Sequence, residues 1–375
     1  MPPVAPIDVL TGIEAARFTA YVHYPFCLSK CPYCDFASIA SREPPNARYT
    51  RAVLAELKLR GSPRLDALYF GGGTPSLWPA RFVGEVLDAL SLEGGAEITL
   101  EANPGAADAS RFRDYRAAGV NRLSIGVQSF QASTLAALGR AHDGDAAEAA
   151  FRAARAAGFD NVSLDFIYGV HGQTLDQVVS DAARAASLEP EHLSAYALTL
   201  EKEALAEEVP LAKQLSRGEV TLPPDDAVIA MQRAVAAEYA RVGLQRYEIS
   251  NYAKPGFHSR HNAAYWTGGE YLALGSGATG RIGNVRWQNH RSAERYLADV
   301  EAGRLPEANR EPLDDQTLAA ERVAMGLRLV SGIRLAGPAD ELGRLERAGL
   351  VTLGERVRLT DRGFDVHSSV AAALM

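Results

Sequence analysis

The sequence predicts an α/β fold: a partial (β/α)6 barrel followed by a smaller C-terminal α+β module of winged-helix type. Three observations predict it. Short apolar runs alternate with amphipathic helical runs six times over residues 1–200, the rhythm of a parallel sheet covered by crossover helices. That rhythm stops near residue 200, where a polar, proline-bearing stretch begins. Residues 311–375 then read helix, helix, strand, turn, strand, helix, which is enough for one small separate module.

The β-like runs fall at 18–23, 67–70, 97–101, 123–127, 162–167 and 193–198. Helical patterns lie between them at 46–60, 79–90, 109–118, 146–157 and 175–186. Thr174 is a cap-type residue before the last of these. Gly61, Gly119 and Gly158 stand where helices commonly stop. Six such units suit an open or partial barrel, and a doubly wound sheet fits the same pattern.

Three regions follow: 1–200 as the barrel, 201–310 as a connecting region and 311–375 as the C-terminal module. The connecting region opens with an irregular stretch, 201–224, holding Pro210 and the pair Pro223 and Pro224. A long helix is expected over 226–242, and residues 247–289 are rich in glycine and aromatics with little periodicity. In the C-terminal module a helix is expected over 315–330, then a second from 339, a turn at Gly354 and a closing helix.

Bulk properties narrow the function. The chain has 375 residues, 47% hydrophobic and 23% charged, with a formal net charge of −7. These values are ordinary for a globular protein, and an acidic balance argues against a large nucleic-acid footprint. The C-terminal module carries eight Arg against ten Asp or Glu, a poor surface for DNA. No apolar run reaches the ~18 residues of a membrane span. Residues 1–10 lack the basic start and apolar core of a signal peptide, so a cytoplasmic protein is expected.

Cysteine usage is the sharpest signal. All three cysteines of the chain, Cys27, Cys31 and Cys34, fall within eight residues, spaced C-x3-C-x2-C just after the first strand. An odd, tightly packed set is no disulfide framework. A four-iron cluster usually takes four thiolates; three leave one iron open to a small chelating ligand. The competing reading is a structural zinc site with His23 as fourth ligand. Core packing without metal, or a redox pair of Cys31 and Cys34 that leaves Cys27 unexplained, also stands as an alternative.

Unusual residues gather at the expected C-terminal ends of the strands, where a barrel of this kind builds its sites. Gly71-Gly72-Gly73-Thr74-Pro75 ends the second strand; glycine there lets backbone approach a ligand closely. It is no phosphate-binding P-loop, since no Gly-Lys-Ser/Thr follows. Glu101 closes the third strand, Gln128 the fourth, and Asp165 sits in the fifth. A carboxylate in an apolar strand is costly to bury without a partner; each alone also suits a helix cap or an ion pair with arginine.

With these residues in view, the cysteine motif after a β-strand is similar to the cluster loop of the radical S-adenosylmethionine (SAM) superfamily. The resemblance implies a [4Fe–4S] cluster on Cys27, Cys31 and Cys34, with SAM chelating the open iron and cleaved by one electron from the cluster. It therefore also implies an electron donor. It further implies a SAM shell of Tyr21, Tyr33, Gly72, Gly73, Thr74, Glu101, Gln128, Arg140 and Asp165, with Arg140 paired to the SAM carboxylate. An ordinary surface arginine is the alternative for Arg140.

The whole chain resembles the group that contains oxygen-independent coproporphyrinogen III dehydrogenase. The carriers are His23-x-Pro25-Phe26-Cys27, Gly71–Pro75, Gly126-Val-Gln128-Ser-Phe130 and Asp165-x-Ile-Tyr168-Gly169. Two departures speak against porphyrinogen decarboxylation. The dehydrogenase has a fourth cysteine where this chain has Phe36, and a longer segment before its cluster than the 26 residues preceding Cys27 here. The run His261-Asn262-Ala-Ala-Tyr265-Trp266 resembles the H-N-x-x-Y-W motif of the HemW-type heme chaperones. That resemblance implies heme contact at His261, Asn262, Tyr265 and Trp266 and transfer of heme to acceptor proteins. Imidazole is a suitable heme ligand, and two aromatics offer flat apolar surface. His258 is a competing ligand, and a hydrogen-bonded core histidine is the alternative for His261. A SAM-dependent enzyme acting on a tetrapyrrole is the second functional expectation.

Overall fold

The computed structural model describes residues 15–105, 109–200, 209–335 and 337–375. The reading made on residues 1–10 and the opening of the irregular stretch, residues 201–208, lie outside the described residues. Six parallel strands form the frame: β1 (Phe18–Tyr24), β2 (Arg64–Gly72), β3 (Ser91–Ala102), β4 (Arg122–Gln128), β5 (Val162–Tyr168) and β6 (His192–Ala197). Each pairs with its sequence neighbour. All six match the runs expected from sequence, because a strand covered on both faces reads as a near-continuous apolar run. The covering helices match too: Asn46–Arg60, Ala80–Ala89, Ala109–Ala118, Gly144–Ala156 and Leu175–Ser187. Thr174 caps the last of these in a reciprocal capping box with Gln177.

The connecting region holds a difference from expectation. Residues 247–289, where sequence shows little periodicity, and the segments flanking them supply strands to the same sheet at both edges. β7 (Gln245–Arg246) and β8 (Asn251–Ala253) extend it beyond β6, antiparallel. β9 (Glu270–Leu274) lies parallel to β1 on the other side. β10 (Thr279–Ile282), β11 (Val285–Asn289) and β12 (Glu307–Pro312) continue outward, antiparallel. The result is a twelve-stranded sheet, and among the described residues no pairing joins its outer strands. These added strands are two to six residues long, too short for a period-two pattern to register.

The helix Asp225–Arg241 covers β6 and the last barrel helix. The C-terminal module has the expected order: helices Asp315–Gly326 and Ala339–Arg347, a hairpin pairing Val351–Thr352 with Arg358–Leu359, and helices Asp361–Asp365 and His367–Leu374. It has its own apolar core around Leu327, Ile333, Leu345 and Val370, against which Trp266 of the connecting region packs. Among the described residues, no helix is long and apolar enough to cross a membrane.

Candidate functional site

One cavity of about 690 Å³ opens at the C-terminal ends of the parallel strands and runs down into the barrel. Cys27, Cys31 and Cys34 all line it. The loop that carries them is pinned where it leaves β1 and where it returns. Ile39 N–H donates to Pro25 C=O (2.7 Å) and Ser41 N–H to Cys27 C=O (2.8 Å). His23 ties it from below: its Nε2 meets the Ala37 carbonyl at 3.0 Å and its Nδ1 the Tyr21 hydroxyl at 2.9 Å. A carbonyl only accepts, so Nε2 carries the proton and Nδ1 takes the Tyr21 hydrogen. Both nitrogens are committed, which leaves His23 no lone pair for a fourth zinc ligand.

The glycine segment locks onto this loop edge to edge. Gly73 N–H donates to Tyr24 C=O (2.7 Å) and Thr74 N–H to Phe26 C=O (3.0 Å). A Cβ at Gly73 would lie 2.8 Å from the Pro25 carbonyl carbon, and Gly72 has φ +116° with the His23 ring 2.5 Å from any Cβ. Glycine is required at both positions for the loop to sit where it does.

Glu101 accepts from Gly72 N–H (3.0 Å) and the Tyr69 hydroxyl (2.9 Å). Burial raises its pKa to about 7, against those two hydrogen bonds. Asp165 accepts from Ser124 (2.8 Å) and Ser163 (3.2 Å), and burial also pushes it up. Gln128 takes φ +66° at the end of β4, a left-handed conformation unusual outside glycine and a mark of functional strain. Arg140 reaches across the cavity: Nη2 donates to Asn103 Oδ1 (2.6 Å) and Gly126 C=O (2.9 Å), while Nη1 stands 3.6 Å from Cys31 Sγ. Asn103 in turn donates to Thr74 Oγ1 at 3.0 Å.

Eight of the nine residues expected in the SAM shell line the cavity: Tyr33, Gly72, Gly73, Thr74, Glu101, Gln128, Arg140 and Asp165. Tyr21 does not; it stands behind the wall, bonded to His23 and stacked near Tyr69. The heme motif forms a short helix, Arg260–Trp266, at the opposite end of the barrel. Only Asn262 of its four residues lines the cavity. His261 is 2% exposed and stacks on Tyr69 at 4.8 Å. Its Nδ1 lies 2.6 Å from Thr19 Oγ1, whose own hydrogen goes to Ala67 C=O. Nδ1 is therefore the protonated nitrogen, and burial lowers the pKa of His261 to about 3. Tyr265 meets His261 edge-on, and Trp266 lies under Arg328 of the C-terminal module. His258 packs against Tyr247 at 4.7 Å.

Sequence reasoning missed Asn103, Arg122, Ser124, Ser194 and Tyr196, which also line the cavity. Arg122 is fully buried at the cavity floor with one long hydrogen bond, 3.5 Å to Thr99. The strand-position rule that found Glu101 and Asp165 could have found Arg122 and Ser194, since both lie on inward-facing strand positions.

The residues fit an iron–sulfur cluster better than a single ion. Among the described residues no three His, Cys, Asp or Glu side chains converge on one ion position, as tetrahedral zinc would need. A cluster takes each thiolate on a different iron, and three thiols lining one cavity suit that. Burial pushes the Cys27 and Cys34 thiols up, so binding iron there displaces protons.

The comparisons with known proteins agree with this geometry. Residues 21–185 match the radical SAM superfamily. A solved coproporphyrinogen III oxidase (HemN) of Escherichia coli, a radical SAM enzyme, superposes with a TM-score of 0.79 over 96% of this chain and 90% of that one, at 22% identity. At that identity the likeness establishes the fold. Fold and site thus define a radical SAM protein. The heme chaperone HemW of Mycobacterium tuberculosis is 36% identical, covering 99% of this chain and 98% of that protein. HemW of Escherichia coli is 40% identical over 72% of this chain and 71% of its own length. The chain belongs to the HemW family of heme chaperones.

Proposed function

We propose that this protein binds heme and passes it to heme-accepting proteins, and that it does so with a [4Fe–4S] cluster on Cys27, Cys31 and Cys34 and with bound SAM. The observation that carries the reading is identity to a heme chaperone from end to end of both chains, together with the three-thiol cavity. Reduced thiols and an oxygen-sensitive cluster suit the cytoplasm as its place of work.

The roles follow from the geometry. Glu101 and Asp165 are the cavity's acceptors for the amino and hydroxyl groups of SAM. Glu101 is held half-protonated near neutrality by burial, and a cationic amino group arriving beside it favours its charged form. Arg140 offers a guanidinium to the SAM carboxylate while buttressing the cysteine loop at Cys31. Gly72 and Gly73 keep the backbone low enough for ligand contact. Tyr21 acts through His23, holding the loop rather than touching the ligand. When bound, the cluster supplies single electrons and an open iron site, and an external donor must recharge it. His261, Tyr265 and Trp266 serve as the packed floor, and Asn262 carries that floor into the cavity.

The test is an anaerobic heme titration of cluster-loaded protein, followed by incubation with an apo-acceptor hemoprotein. Binding of about one heme per chain, then loss of heme to the acceptor, is expected. Absence of stoichiometric binding would sink the proposal. Carbon dioxide release from coproporphyrinogen III, with SAM and a reductant, would favour the tetrapyrrole-enzyme reading instead.

A further inference from the structure

We infer that His192 and Tyr247, which stand behind the cavity wall, are positioning residues for SAM. Acting through Ser163, they hold Asp165 as a carboxylate that accepts hydrogen bonds from the ribose hydroxyls. This rests on the SAM role given to Asp165 above and deepens it.

Four side chains form one continuous line of hydrogen bonds. The Tyr247 hydroxyl lies 2.9 Å from His192 Nε2, His192 Nδ1 lies 2.8 Å from Ser163 Oγ, and Ser163 Oγ lies 3.2 Å from Asp165 Oδ1. Ser163 and Asp165 share one face of β5, and His192 is the direct partner of Ser163 on β6. Tyr247 follows β7, and its backbone is held on two sides. Its N–H donates to Asn251 C=O (3.1 Å), and its C=O accepts from Val330 N–H (3.0 Å) of the C-terminal module. Ser163, His192 and Tyr247 are all buried, so each polar group needs a partner within the line.

The far end sets the direction of every bond. The Tyr247 oxygen accepts from Ser259 N–H (3.3 Å), and among the described residues its own hydrogen has one acceptor, His192 Nε2. Burial pushes the His192 pKa well below 6.5, and the Arg122 guanidinium and His258 push the same way. The ring is therefore neutral, with its one proton on Nδ1. Nδ1–H donates to Ser163, and Ser163 O–H donates onward to Asp165 Oδ1. Ser124 O–H donates to the other oxygen, Oδ2, at 2.8 Å. Asp165 thus meets a donor on each oxygen from the protein side and presents lone pairs to the cavity. Bonds aligned in one direction also polarise one another. Without the Tyr247 hydroxyl, the imidazole is free to carry its proton on Nε2. Ser163 then turns its hydrogen to Nδ1 and away from Asp165.

The experiment is anaerobic calorimetry on the cluster-loaded full chain, with SAM and with a SAM analogue lacking both ribose hydroxyls. The His192 tautomer is read by nitrogen NMR of histidine-labelled protein. Wild type should carry the His192 proton on Nδ1. Tyr247→Phe keeps the ring and removes the hydroxyl. It should move the proton toward Nε2 and weaken SAM about three- to tenfold, the scale of one hydrogen bond, with affinity for the analogue unchanged. Ser163→Ala should weaken SAM by a similar factor, and adding Tyr247→Phe to it should weaken SAM no further, because the far end acts through Ser163.

A packing defect would weaken both ligands alike, and that result in Tyr247→Phe and Ser163→Ala overturns the proposal. So does a wild-type His192 protonated on Nε2 or on both nitrogens, unchanged SAM affinity in Tyr247→Phe, or additive losses in the double variant. A wild-type protein that binds SAM and the analogue equally removes the role given to Asp165 itself, and the relay with it. Discrimination in wild type that survives both substitutions leaves Asp165 in place and overturns the relay alone.

Discussion

The two ends of the barrel are built from the same strands and behave oppositely. At the C-terminal end, backbone turns open a cavity, Gln128 sits in a left-handed conformation, and large apolar side chains face solvent. At the N-terminal end, Thr19, Glu97, Arg122 and His261 are all buried. There the helix Arg260–Trp266 seats itself by His261 N–H donating to Glu97 (3.1 Å) and by the Thr19–His261 bond. The difference teaches how a motif rich in ligand-type residues can be structural. A histidine that is buried, held through Nδ1 by Thr19 and stacked on Tyr69 packs the closed end, while three thiols line the open cavity.

The largest effect that would break this comparison lies at the open end. Replacing any of Cys27, Cys31 or Cys34 by Ala should abolish the reconstituted cluster, read as iron and sulfide per chain. Retention of a full four-iron cluster by such a variant would remove the site assignment. Next comes Gly73→Ala. Its Cβ must push the Pro25–Phe26 backbone away, so cluster loading and SAM binding should both drop severely while the C-terminal module, with its separate core, stays folded by hydrogen exchange.

At the closed end, His261→Ala leaves Thr19 short of a partner and Tyr69 without its stacked ring. A loss of about 2–3 kcal/mol in unfolding free energy is expected from a buried hydrogen bond plus a cavity. The same residue gives a pH signature. His261 titrates near 3 when folded and His23 near 4, both lowered by burial from an ordinary value of 6.5. Between those values and 6.5 the unfolded chain binds more protons, so each group takes stability away as pH falls through that window. When complete, these shifts correspond to about 3.5 kcal/mol for His23 and about 5 kcal/mol for His261, at ~1.4 kcal/mol per tenfold. Glu101 works in the other direction: its folded pKa of about 7 favours the fold at low pH and is lost as pH rises from about 4.5 to 7. Denaturant unfolding across pH should therefore show less stability lost on acidification below 6.5 in His261→Phe than in wild type. An unchanged slope in that variant would show that His261 is not buried as described.

A smaller effect is expected from Glu101→Gln. Its one amide oxygen can still accept from Gly72 N–H, while the NH2 that replaces the other oxygen can only donate to the Tyr69 hydroxyl. Stability should therefore shift by about 1 kcal/mol, while SAM affinity, measured by calorimetry, should fall and lose its dependence on pH near 7. The smallest is Phe36→Ser. A side chain more than half exposed should alter stability by less than about 0.5 kcal/mol, and a larger loss would mean the cluster loop is packed more tightly than its exposure indicates.

Much of this was legible beforehand, residue by residue. β1 to β6 announce themselves because strands buried on both faces must be apolar without interruption. The cysteine triad is legible from its spacing, and the carboxylates Glu101 and Asp165 because an ionisable residue is costly in such a strand unless something uses it. β8 to β11 were hidden because strands of three to five residues leave no periodicity. Arg122 and Ser194 lay within reach of the same strand-position rule, but Arg122 opens its strand and reads equally well as an edge residue, and a serine in a strand signals far less than a carboxylate.

The sequence by itself determined the barrel, the thiolate set and the kinship, since each is written in local patterns: apolar runs, the spacing of cysteines, and short motifs at strand ends. Only the tertiary structure decided how deeply His261 is buried and which residues it meets. Both depend on which face of a short helix is turned toward Thr19 and Tyr69, and no local pattern records that. Burial is a property of everything packed around a residue, not of the residue or its neighbours in the chain.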